Sequence, residues 1–560
     1  MRTNLRWQLL LAVICIALLV SLLSYQVQSV GLCSTRVPAS GGQLVEGMVG
    51  QPQFLNPLLS HHNPVDQQLT DLIFDGLVRY GPDGDPQPAL ARDWEISEDG
   101  RTFTFNLRED ARWHDGQPVL AQDVAFTYGL LQEESFPAPE SQRLLWQAVV
   151  ISPTTESQIS FTLPQPFGPF IEATTIGILP QHVLADVPPA EIPEHAFNTT
   201  PVGTGPFLVP VGNNWRESGH LSLAPNPLYW RSGVRLAGIQ FRFYEDVEAL
   251  NGAYVAGEIQ AISVVPDDGI GMIGAAPGMR LFSSPAPRYT QLLFNMTGEG
   301  FEALQDGAVR QALAMGTDRP ALIDRALDGQ GVLLDGPYLP QSWAFTPGKV
   351  RAYDGQTAQA VEQLDSAGWT LPEDAVVRQN EGQELVLRLL IVDQPRLRAL
   401  AAALAEQWSE LGVSLQLVAI ASDEFLPTLQ ERAFDVAIVD VEPGHDPDLY
   451  DFWSQEAIIR GQNYGGWNNR RASEALENAR RLTSEDARRP YYEAFLTYFD
   501  TDLPALTLYQ QVYTYGLSED VKQAEIGRID SPRDRYKTLG QWFLNYREVA
   551  SACPDEGVAR

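Results

Sequence analysis

Residues able to do chemistry are plentiful in this chain, but nothing gathers them into a reaction centre. The sequence holds no GxSxG, no HExxH and no Walker A motif. Its seven histidines are dispersed except for His61-His62, and neighbours on a strand point to opposite faces, which separates that pair as metal ligands. Gly269-Ile270-Gly271-Met272-Ile273-Gly274 matches GxGxxG letter for letter. A dinucleotide site also needs a helix opening there, so that its amide groups meet the pyrophosphate. Ala275-Ala276-Pro277-Gly278 follows and breaks a helix, so a surface loop is expected. Carboxylates abound, 71 Asp and Glu against 39 Lys and Arg, and no pair stands out as an acid/base couple. The expectation is a chain with no catalytic residues, no metal site and no cofactor.

Recognition chemistry is better represented. Trp343, Tyr450, Trp453, Tyr464 and Trp467 recur beside Gly and Asp in loop-like stretches. Each could be core packing or a shelf for a ligand. Trp343 and Trp467 are the candidates, because Pro340-Gln341-Ser342 and Gly465-Gly466 flank them and an aromatic ring packs on varied side chains at low entropy cost. His445 and Asp446 sit in the loop Glu442-Pro443-Gly444-His445-Asp446-Pro447, whose place follows from the elements around it.

Those elements are most regular between 385 and 441. Leu385–Val392 reads as a strand, and Pro395–Leu411 as a helix with Leu397, Leu400, Leu404, Trp408 and Leu411 at helical spacing, stopped by Gly412. Val413–Leu417 alternates as a strand, Asp423–Arg432 suits a helix, and Phe434–Val441 a third strand. The order β-α-β-α-β predicts parallel pairing in an α/β lobe. Ligands of such sheets sit beyond the carboxyl ends of the strands, where the 442–447 loop begins.

Elsewhere, Leu44–Val49 reads as a first strand, Asp66–Leu77 and Pro118–Leu131 as helices, and Trp94–Ile96 with Thr102–Leu107 as a hairpin turning at Asp99-Gly100. Asn198–Tyr244 suits short strands, and Tyr289–Asn295 an extended stretch before a helix at Ala308–Met315. Helices at Arg471–Leu482 and Asp486–Asp500 precede a return strand, Ala505–Leu508.

At 560 residues the chain exceeds what one core can hold, so at least two lobes are expected. A formal charge of -32 repels phosphate backbones, which excludes nucleic acid as a partner class. Arg2 and Arg6 precede the apolar run Leu9–Leu23, the pattern of an export signal or an uncleaved membrane anchor. Cys33 follows Val30-Gly31-Leu32, where a lipoprotein signal would place its acylated cysteine, but Leu32 is larger than the residue expected there. An anchor or ordinary cleavage is therefore preferred, with the rest of the chain outside the cytoplasm. Cys33 and Cys553 flank the folded part, as a bridge or as two thiols.

Several segments together resemble solute-binding protein family 5, the peptide- and nickel-binding receptors of ABC importers. They are Ala91–Gly100 with Thr102–Arg108, Trp113-His114-Asp115-Gly116 with Ala121–Phe126, Gly203-Thr204-Gly205-Pro206-Phe207 and Asn226–Trp230. Asn295, Val309–Leu313, Leu364–Trp369, Asp446–Trp453 and Asn463–Gly466 continue the set in order, so it spans about residues 44 to 545. The resemblance implies an α/β, type II periplasmic-binding-protein-like clamshell. Its first lobe would span 41–286, with an extra subdomain inserted at about 86–197, and its second lobe 287–508. Residues 509–548 would return to the first lobe, leaving a signal or anchor at 1–32 and a flexible tail at 549–560. It further implies a monomer that encloses an oligopeptide and hands it to ABC permease subunits. A non-peptide solute such as a nickel chelate or oligosaccharide, and a sensory clamshell without transport, stand as alternatives. Carried over as ligand-binding positions are Asn56, Thr204, Tyr289 and Asn295, with Asp446 as the partner of a ligand ammonium.

Overall fold

The computed structural model describes residue 7, residues 13–22 and residues 32–552, apart from 82–84, 214, 232–234, 267–268, 528, 530–531 and 537. Much of the expected signal or anchor, Gly31 before Cys33, and Cys553 lie outside the described residues. No described helix is long and apolar enough to cross a membrane.

One eleven-stranded sheet runs through the molecule. At its centre two long strands, Met279–Phe294 and Ala505–Ser518, lie antiparallel and carry the chain across the middle. On one side the core gathers residues from Leu44 to Ala261 and again from Tyr513 to Trp542. On the other, two cores draw only on residues between Tyr289 and Tyr509. The ladder between the crossing strands lapses between Pro285 and Tyr289, where Pro285 and Pro287 have no N–H to donate. The Gln510 side-chain amide donates instead to the Ala286 carbonyl at 2.7 Å.

The β-α-β-α-β segment folds as its order implies. Val386–Val392 pairs in parallel with Ser414–Ile420 and with Val436–Val441. The helix Pro395–Glu410 buries Leu397, Leu400, Leu404 and Trp408 against that sheet, and Gly412 ends the turn at φ +77°. Val436–Val441 also pairs antiparallel with the first crossing strand, Val441 opposite Tyr289. Its carboxyl end, and the loop after it, therefore open at the middle of the molecule.

The hairpin Ala91–Ile96/Thr102–Leu107 extends with Gln158–Thr162 and Val150–Thr155 into a separate four-stranded antiparallel sheet. The helix at Pro64–Ile73 starts where Asn63 accepts from the Val65 N–H at 2.9 Å. It stops short of Leu77 because Phe74 is extended.

Two further expectations change. Residues 549–552 are not a loose tail: Asn545–Ala552 pairs along its length with Leu32–Ala39, Leu32 opposite Ala552. The GxGxxG stretch is not a loop but a one-turn helix, Ile270–Gly274, held by burial of Ile273 beside Leu250 and Ile262. Ala275 ends it, so it remains too short for a phosphate-holding helix.

Candidate functional site

A cavity of about 1220 Å³ opens between the two sides of the molecule, at the level where the crossing strands lose their pairing. Pro64, Gln67, Gln68, Asp71 and Glu172 line it from the first lobe. Arg396, Ala399, Glu442, Gly444 and His445 line it from the second, and Ala286–Arg288 with Gln511–Tyr513 form the wall between. The parallel strands of the second lobe point their carboxyl ends here, as such sheets do.

Acidic side chains along the end of the Val436–Val441 strand each meet an arginine. Asp440 accepts from Arg396 at 2.7 Å, and Glu442 from Arg288 Nε at 2.9 Å. Asp446 takes both Arg488 Nη groups, at 2.6 and 2.5 Å, and Asp448 takes Arg480 at 2.7 Å. The first two pairs border the open cavity, while the last two lie behind the loop and are largely buried. Burial raises the Asp448 carboxyl to about 6 although Arg480 opposes the shift.

Glu172 reaches the same loop from the first lobe. Its carboxylate accepts the His445 N–H at 2.8 Å and the Asp446 N–H at 3.0 Å. Withdrawal from water, with the negative Asp446 nearby, pushes it up to about 7. The His445 ring stacks on Tyr80, also of the first lobe, with centroids 4.1 Å apart.

Of the eight positions singled out in the sequence, His445 lines the cavity, and Asp446 and Trp343 lie just behind it. The Trp343 ring lies 5.1 Å from the Arg488 guanidinium and 5.5 Å from the Tyr492 ring. The Asp446 carboxylate already holds a cation, that of Arg488. Tyr289 is fully buried in the crossing strand. The remaining four side chains are occupied elsewhere. Asn56 donates to Asn198 at 3.0 Å and accepts from Leu58 N–H, and Thr204 accepts from Asp75 N–H at 3.0 Å. Asn295 donates to the Phe434 and Arg432 carbonyls, and Trp467 donates to Asp502 at 2.8 Å. These bonds fasten loops, because a buried polar group must be paired.

Sequence reasoning missed Glu172, Tyr80, Arg288, Arg396 and Gln511. Arg288 and Gln511 carried one usable signal, their place at the two expected crossings. Glu172 carried none.

Comparison with known proteins places this geometry. Residues 85–457 match the model of the bacterial extracellular solute-binding proteins, family 5 Middle. The oligopeptide-binding protein AppA of Bacillus subtilis is 23% identical, over 90% of this chain and 92% of AppA. The AppA structure in complex with a nonapeptide superposes with a TM-score of 0.73 at 22% identity, covering 91% of this chain and 100% of that one. NikZ from Campylobacter jejuni in complex with Ni(L-His) gives 0.73 at 23% identity, covering 90% and 99%. The fold is thus the two-lobed clamshell of these binding proteins, and the chain belongs to the bacterial extracellular solute-binding proteins, family 5.

Proposed function

We propose that this chain is the extracytoplasmic receptor of an ABC importer, that it encloses an oligopeptide between its lobes, and that it releases it chemically unaltered to the permease. The observation carrying this reading is the cavity of about 1220 Å³ between the lobes. It exceeds the ~300–1,000 Å³ of ordinary small-molecule pockets and suits an extended chain of several residues. Strand ends and paired ions border it, which supports main-chain hydrogen bonding more than one fixed charge contact. Water in the remaining volume accommodates side chains of varied size. Contacts made only when the lobes are together shift the receptor toward closure. The N-terminal apolar run directs export, retained as a membrane anchor or removed by cleavage, and the exported part acts as a monomer outside the cytoplasm. Of the positions singled out in the sequence, His445 is the one proposed to touch the ligand directly, and Trp343 and Asp446 shape the wall behind it.

Native mass spectrometry of the exported part tests this. A co-purified mass series matching peptides is expected, with calorimetry then showing binding and no cleavage. A metal chelate or oligosaccharide in its place, or hydrolysis of the bound peptide, overturns the reading.

A further inference from the structure

A ligand is not all that spans the cleft, because the lobes also touch each other directly. The loop from Glu442 to Asp448 is fixed to the second lobe by Arg488 on Asp446 and Arg480 on Asp448. So held, it presents two consecutive amide N–H groups, those of His445 and Asp446, to the opposite lobe. Paired backbone donors of this kind are an anion-binding arrangement. The acceptor here is internal: the Glu172 carboxyl, carried on the short helix Phe170–Ala173.

The fit is specific at Gly444. Its φ is +82°, which L side chains rarely adopt, and a Cβ there would lie 2.7 Å from Glu172 Oε1. The left-handed backbone favours glycine, and a Cβ would displace the Glu172 carboxyl from its two amides. Tyr80 covers the neighbouring His445 ring. Further along the same seam, the Gly168 N–H of the first lobe donates to the Arg480 carbonyl at 2.8 Å, and the Arg480 guanidinium lies 5.0 Å from the Phe167 ring. A Cβ on Gly168 would lie 2.0 Å from the Leu482 carbonyl oxygen.

We propose that Glu172 is the positioning residue that latches the lobes together, by accepting the His445 and Asp446 amides across the cleft. Both bonds exist only when the lobes meet, so they stabilise the closed state with or without a ligand. Glu172 thereby sets how far the empty receptor is already closed, and hence its apparent affinity. This rests on the reading that the lobes close around a solute.

The test uses ligand-free protein, so its failure is separable from failure of ligand capture. Small-angle scattering and hydrogen exchange are compared for the native chain, Glu172→Ala and Gly444→Ala. Thermal unfolding of each variant is followed as a check on folding. Gly444→Ala disturbs the latch from the opposite lobe and so repeats the test independently. Both variants are expected to expand the scattering radius. Both should also speed exchange about tenfold, in the 442–448 loop and in the distant Phe167–Gly168/Arg480–Leu482 seam. Faster exchange confined to the 445–446 amides with an unchanged radius would reduce Glu172 to a local loop brace and overturn the proposal. So would scattering and exchange identical to the native chain.

Discussion

Arg488 grips Asp446 with two parallel N–H···O bonds, at 2.6 and 2.5 Å, and both side chains are largely buried. The pair shares its surroundings with the Trp343 and Tyr492 rings. A carboxylate in this loop was the natural partner for a ligand ammonium, yet the chain supplies its own cation to it.

Asp446→Ala is therefore expected to act on stability more than on amine recognition. Removing one member of a buried pair leaves an uncompensated charge, at a cost of about 3–5 kcal/mol. Urea denaturation should show that loss. Peptides with free and acetylated amino termini should bind the native chain within about tenfold of each other by calorimetry. A much larger preference for the free amine, abolished by Asp446→Ala without loss of stability, would return the ammonium to Asp446.

The return of the chain to the first lobe rests on a second buried pair. Arg535 and Glu46 are both fully buried and meet at 2.8 Å, with the Tyr515 and Tyr536 hydroxyls also donating to Glu46. Arg535→Met leaves Glu46 without its cation and should cost about 3–5 kcal/mol. The double variant Glu46→Met/Arg535→Met should recover much of that loss, since no lone charge remains. Denaturant midpoints of the two variants decide it, and equal losses would contradict the pairing.

Gly203 sits where a Cβ would lie 1.9 Å from the Ile73 carbonyl oxygen, and at Gly205 one would lie 2.6 Å from the Ile73 carbonyl carbon. Gly203→Ala must push the end of the Pro64–Ile73 helix aside, at about 1–3 kcal/mol. Because that helix lines the cavity through Gln67, Gln68 and Asp71, ligand affinity should fall together with the melting temperature. A melting temperature unchanged by the substitution would show that the helix end yields freely.

What the sequence revealed and concealed follows from which contacts are local. The parallel strands between 386 and 441 were legible because each is a short apolar run bounded by an amphipathic helix. Of the second crossing strand, only Ala505–Leu508 stands out as strand-like in the sequence. Beyond it Gln510, Gln511 and Thr514 interrupt the apolar pattern, although neighbours on both sides bury the strand. The final strand was missed because its partner, Leu32–Ala39, lies at the other end of the chain. At the site, the conspicuous motif residues Asn56, Thr204, Asn295 and Trp467 fasten loops. Motifs mark buried polar groups that the fold cannot leave unpaired, and such groups need not face a ligand. Glu172 was invisible for the opposite reason: its partner His445 is 273 residues away, and it offers only a backbone amide.

That last contact makes closure depend on pH, with a definite sign. In the closed seam the Glu172 carboxyl is raised to about 7 from an ordinary 4.5, because burial and Asp446 together outweigh the two amide bonds. The groups facing it are Asp446 and Asp448 on the loop, Arg488 behind them and Tyr80 on its own lobe. Opening returns Glu172 to water and to its ordinary range. Between those values the closed state binds the extra proton. Acidification from pH 7 toward 5 thus favours closure, and the contribution is lost as pH rises through about 7. The slope is at most about 1.4 kcal/mol per pH unit for one proton. Glu172→Gln, neutral at every pH, should flatten the dependence while keeping one accepted amide bond. Scattering radii from about pH 5, just above the ordinary 4.5, to about pH 8, one unit above the raised value of about 7, distinguish the cases. A native chain that opens on acidification, or a Gln variant with an unaltered profile, would assign the titration to another group.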